Sequence, residues 1–159
     1  MVQGDWYTTG KMGDKGHLDF DNTKALNEEP EFITMNGHAA ALTKLFPLTA
    51  NVGETVRLYV GNGGPNLISS FHVIGEIFDR VYAEGSTTPT LHNVQTTIVP
   101  AGGSAMVEFK VEVPGTYILV DHSLFRAFNK GAVGILNVPG EENALVFESG
   151  ARNEPIPAR

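Results

Sequence analysis

An all-β sandwich is the fold class this sequence predicts, on two observations. Gly 18 and Pro 9 punctuate the chain densely. Between them lie short segments in which apolar and polar residues alternate, the pattern of half-buried antiparallel strands. In "ETVRLYVGNGG" Val56, Leu58 and Val60 face one way and Thr55, Arg57 and Tyr59 the other. In "AMVEFKVEVPG" Val107, Phe109, Val111 and Val113 oppose Met106, Glu108, Lys110 and Glu112. "GTYILVDH" and "AVGILNVPG" read as two further strands, with Pro114-Gly115 turning into the first. Regularly spaced short strands with Gly/Pro turns predict a sandwich.

The first 45 residues are polar and predict an irregular strap with one short helical turn around Thr23–Glu29. The body of the domain is expected over 46–140, followed by a polar tail over 141–159 ending in "NEPIPAR". At 159 residues the chain is long enough for one domain with a proper core. A formal charge of −7 argues against a nucleic-acid partner, which needs a basic face. No apolar run is long enough for a membrane helix, and "MVQGDWYTTG" lacks the pattern of a secretory signal. With no cysteine, disulfides, thiolate metal ligands and a Cys nucleophile are excluded.

Two stretches set a histidine among apolar neighbours: "SSFHVIGEIF", holding His72, and "LVDHSLFRAF", holding His122. The segment from Val113 to Val138 runs Pro-Gly turn, Tyr-bearing strand, polar loop, strand. That order resembles the closing pattern of a cupredoxin, a Greek-key β-sandwich. In a blue-copper cupredoxin the loop supplies Cys, His and a weak axial Met. Here Asp121 stands at the cysteine position, Leu124 at the histidine position, and no Met follows in the loop. A type 1 copper site is therefore excluded.

"GETVRLYVGNGGPNLISSFHVIG", "HNVQTTIVPAGGSAMVEF" and "VDHSLFRAFNKGA" together resemble the second cupredoxin domain of copper-containing nitrite reductases, in order and spacing. The wording is nearest the neisserial outer-membrane subgroup. The resemblance implies a homotrimer of two-domain subunits reducing nitrite to nitric oxide. It implies that His122 is one ligand of a type 2 copper shared with a neighbouring subunit. It makes His72 the proton-relay histidine, Ile74 the residue that narrows the nitrite pocket, and Thr96 and Gln95 the residues behind His72. Gln95 stands where other members carry glutamate. The type 1 copper, the other type 2 histidines and a relay aspartate belong to a first domain outside this chain, so the chain is expected to be inactive by itself. The resemblance further implies a periplasmic or exported location and a cupredoxin or cytochrome c as electron donor.

The alternative expectation is a free-standing trimeric cupredoxin-like module without catalytic activity. A piece of another multicopper oxidase would call for a His-x-His or His-Cys-His cluster, which the sequence lacks. His17, His38 and His92 sit in polar surroundings and read as solvated surface. Met12, Met35 and Met106 read as packing or surface residues, and Asp79 and Glu84 as solvating the strand between them. Asp121, His122 and Ser123 do not form a triad, because neighbours on a strand point to opposite faces.

Overall fold

The structure, a computed structural model, describes residues 1–141. The tail over 142–159 lies outside the described residues. The strands are β1 Val2–Trp6, β2 Phe32–Met35, β3 Leu48–Thr49, β4 Thr55–Asn62, β5 Ser69–Ile74 and β6 Phe78–Ala83. They continue with β7 Leu91–Val94, β8 Thr96–Val99, β9 Ser104–Lys110, β10 Gly115–Asp121 and β11 Val133–Val138. Two sheets result, six strands in the order β2-β1-β4-β9-β6-β7 and five in the order β3-β11-β10-β5-β8. Most connections after β3 pass from one sheet to the other, with β6-β7 and β10-β11 as hairpin pairs. This is the sandwich that the alternation predicts, in the Greek-key order that the cupredoxin resemblance implies.

The alternation decides which side chains fill the core. Leu58, Val60, Val107 and Phe109 of the larger sheet meet Phe71, Val73, Leu119 and Leu136 of the smaller one, all buried. Phe71 stacks on Phe78 at 5.9 Å between ring centroids, and Phe78 meets Phe109 at 6.1 Å. Each such side chain stabilises the fold by roughly 1.5–3 kcal/mol relative to exposure.

On the outer face of β9, Glu108 is only 3% exposed although its position predicts solvent. Register sets it between Arg57 on β4 and Arg80 on β6. Arg57 Nε donates to its carboxylate at 2.7 Å, and Arg80 Nη1 and the Tyr82 hydroxyl each at 3.4 Å. Arg57 holds the Glu108 carboxyl below its ordinary range, with Arg80 adding to the effect.

The strap expected over 1–45 carries two strands that join the larger sheet: β1 pairs antiparallel with β2 and parallel with β4. Polar residues hide these strands from a hydrophobic reading, because Gln3, Asp5 and Thr34 are buried in hydrogen bonds rather than exposed. The short helix is present as α1, Asn22–Leu26, where Asp21 caps the N–H groups of Thr23 and Lys24. A π-helical turn spans Ala41–Leu45.

A second helix, α2, spans Leu124–Lys130 in place of the polar loop expected between the last two strands. Its apolar residues Leu124, Phe125 and Phe128 are exposed and only Ala127 is buried, so its sequence carries no inward stripe to betray it. Gly131 ends it with φ of +101° and donates to the Ala127 carbonyl at 3.0 Å. A Cβ at that position would lie 2.6 Å from the Ile33 carbonyl oxygen.

Candidate metal centre

β5 is an inner strand of the smaller sheet, paired with β8 on one side and β10 on the other. Its alternation sends Phe71 and Val73 into the core and turns Ser70, His72 and Ile74 to the outer face. Register sets His72 beside Thr96 on β8 and Val120 on β10. His72 Nδ1 lies 2.6 Å from the Gln95 carbonyl oxygen and 3.3 Å from Thr96 Oγ1. A carbonyl oxygen can only accept, so Nδ1 carries the hydrogen and Nε2 is left for other chemistry.

His122 is the first residue past β10. Its backbone N–H donates to the Ser70 carbonyl at 2.8 Å, continuing the β10–β5 pairing by one step. The two imidazoles, far apart in sequence, meet edge to face with centroids 5.3 Å apart and planes at 78°.

Asp121, at the position of the absent cysteine, is fully buried. Its Oδ1 accepts from the backbone N–H groups of Ser70 and Ser123, each at 3.1 Å. Its Oδ2 accepts from Gln3 Nε2 at 3.3 Å and lies 3.1 Å from Arg126 Nε, a charge contact whose N–H is not aligned as a hydrogen bond. Gln3 in turn accepts from Ser69 Oγ, and Arg126 Nη2 donates to the Ile68 carbonyl and Ser123 Oγ.

The structure thus gathers His72, Thr96, Gln95 and His122 in one place. Gln95 takes part through its main-chain oxygen. Ile74 shares the outer face but lines a hollow of about 760 Å³ with Gly75, Glu76, Ile77 and Tyr117. Burial raises the Glu76 carboxyl to about 6. His17, His38 and His92 are exposed, and Met35 is a core residue. The partnership of Asp121 with Arg126 is not foreseen from sequence. Asp121 is visible there only as a departure from the cysteine pattern, and Gln3 carries no signal, since its contact spans almost the whole domain.

Imidazole nitrogens suit copper, and His122 offers one on the exposed face of the smaller sheet. Among the described residues no group of three or more His, Cys, Asp or Glu could hold a metal ion.

The family profile described as multicopper oxidase matches residues 1–140. The chain belongs to the multicopper oxidase family. Within that family it is similar to the copper-containing nitrite reductase of Neisseria meningitidis serogroup A, at 64% identity over 147 residues, 92% of this chain and 38% of the relative. The copper-containing nitrite reductase of Neisseria gonorrhoeae is 63% identical over 92% of this chain and 37% of its own length. The chain therefore spans less than two-fifths of these relatives. Among solved structures, the copper-containing nitrite reductase of Thermus scotoductus superposes with a TM-score of 0.75 at 27% identity, over 89% of this chain and 30% of that one.

Proposed function

We propose that this chain is the C-terminal cupredoxin domain of an exported copper nitrite reductase that reduces nitrite to nitric oxide. The observation that carries the reading is the edge contact of His72 with His122 on the outer face of the smaller sheet. Identity to neisserial copper-containing nitrite reductases supports it. In this reading His122 is one of three imidazole ligands of a type 2 copper, the other two coming from the first cupredoxin domain of a neighbouring subunit in a homotrimer. That domain also holds the type 1 copper, which takes electrons from a cupredoxin or cytochrome c. Leu124, Phe125, Phe128, Ile68 and Ile98 expose apolar surface on α2 and on and beside β5 and β8, which suits a face covered in an assembly.

Copper, when bound, supplies one electron and an open coordination position for nitrite. The overall change consumes nitrite, two protons and one electron and yields nitric oxide and water. His72 handles a proton. Its Nδ1–H stays committed to the Gln95 carbonyl, so the proton it gives up leaves from Nε2. Thr96 Oγ1 flanks the same nitrogen and limits ring rotation. Ile74 stands two positions along the same face, and the family resemblance makes it the residue that narrows the nitrite pocket.

The test is to supply the first domain, by fusion or in trans, and to measure nitrite-dependent nitric oxide release. Release from the combination and none from the 159-residue chain alone supports the reading. No release from a copper-loaded combination contradicts it.

A further inference from the structure

We propose that Asp121 is a positioning residue for His122, holding the backbone on both sides of that histidine so that its imidazole keeps one orientation; this rests on the reading of His122 as a copper ligand. His122 sits where β10 has ended and α2 has not begun, its own N–H bonded to the Ser70 carbonyl at 2.8 Å. The Asp121 carboxylate spans the junction. Through Oδ1 it ties Ser123, one residue after His122, to Ser70 on the neighbouring strand. Through Oδ2 it reaches Gln3 of β1, in the other sheet, and Arg126 of α2. Four groups from four parts of the fold thus converge on one fully buried side chain.

The carboxylate is the only common side chain of this size that accepts at both ends and donates at neither. All four of its neighbours are N–H groups. An asparagine fits the volume but turns its NH₂ towards either the two backbone N–H groups or the Gln3 and Arg126 pair. Alanine removes every contact and leaves the Arg126 Nε, which has no aligned acceptor even in the native arrangement, without its nearest charge. Arg126 adds a second brace by bonding Ile68 and Ser123 Oγ, so the junction is held from both flanks. Groups that orient a metal-binding side chain typically change metal affinity 10–100-fold when removed.

Two measurements on Asp121→Asn and Asp121→Ala test this. In the metal-free 159-residue chain, ¹³C-labelled histidine gives the shift and line width of the His122 ring, with Phe71 and Leu119 signals reporting the core. In the complete copper-loaded enzyme, type 2 copper affinity and its electron paramagnetic resonance hyperfine pattern are read beside a His122→Ala control. The expected result is an intact core, a shifted or broadened His122 ring signal, copper affinity roughly 10–100-fold weaker, and an altered hyperfine pattern. Parent ring signal and parent affinity in folded variants overturn the inference, provided that His122→Ala loses the copper. If His122→Ala keeps type 2 copper, the ligand reading itself fails, and the positioning role with it. If neither variant folds, Asp121 is a folding group and the inference is likewise overturned.

Discussion

The His72 ring meets the His122 ring edge to face at 5.3 Å, and the Gln95 main-chain oxygen holds His72 from behind at 2.6 Å. One imidazole is thus fixed by a neighbouring strand, and the other sits on a junction braced by a buried carboxylate. Two rings held by such different means are expected to respond differently when their supports are changed.

Gln95 meets His72 through its carbonyl oxygen, which any residue at that position supplies. Gln95→Ala is expected to leave nitrite turnover by the assembled enzyme within about twofold of the parent. Thr96→Val, which removes the hydroxyl 3.3 Å from His72 Nδ1, is expected to lower it by about tenfold with copper retained. Steady-state turnover with copper counting on both variants checks this. A larger loss in Gln95→Ala than in Thr96→Val contradicts it.

Gly131 closes α2, the helix that follows His122. Its φ of +101° is costly for any residue with a Cβ, and that Cβ would lie 2.6 Å from the Ile33 carbonyl. Gly131→Ala is expected to destabilise the chain by about 2 kcal/mol or more. Urea unfolding measures the difference, and an unchanged midpoint rules out the strain.

Two carboxyl groups shape the pH dependence of stability in opposite directions. The Glu76 carboxyl is raised to about 6 by burial, so the folded state binds its proton more readily than the unfolded chain does. Stability therefore falls as pH rises from the ordinary glutamate value of 4.5 to about 6. The Glu108 carboxyl is lowered by Arg57 and Arg80. Its contribution is fully present above 4.5 and is lost as pH falls below that value through the folded pKa. Glu76→Gln should flatten the decline on the neutral side and leave the acid limb in place. Unfolding midpoints across pH 4–7 check it; an unaltered profile in Glu76→Gln contradicts the assignment.

Much of the fold was legible because its strands are one-sided. Val56, Leu58 and Val60, and Val107, Phe109 and Val111, announce their buried face by alternation, and the structure buries all but Val56, which is partly covered. The strands β1 and β2 were hidden because several of their inward groups are polar and hydrogen-bonded. Helix α2 was hidden for the opposite reason: its apolar residues face outward. At the site, His72 and His122 stand out as single histidines in apolar stretches, but their meeting depends on the β5–β10 register, which no local pattern encodes. Asp121 reads locally as a polar residue at a strand end. Only the fold brings Gln3, Ser70, Ser123 and Arg126 around it.

Copper counting alongside nitrite-dependent nitric oxide release, on His122→Ala and His72→Asn with the first domain supplied, tests the two histidine roles most directly. His122→Ala is expected to lose type 2 copper and activity together, because one of three nitrogens has gone. His72→Asn is expected to keep its copper and to turn over about 10²–10⁴-fold more slowly, the usual cost of a lost general acid or base. Copper lost from His72→Asn but kept by His122→Ala would reverse the two roles, and full copper with full activity in both would contradict them.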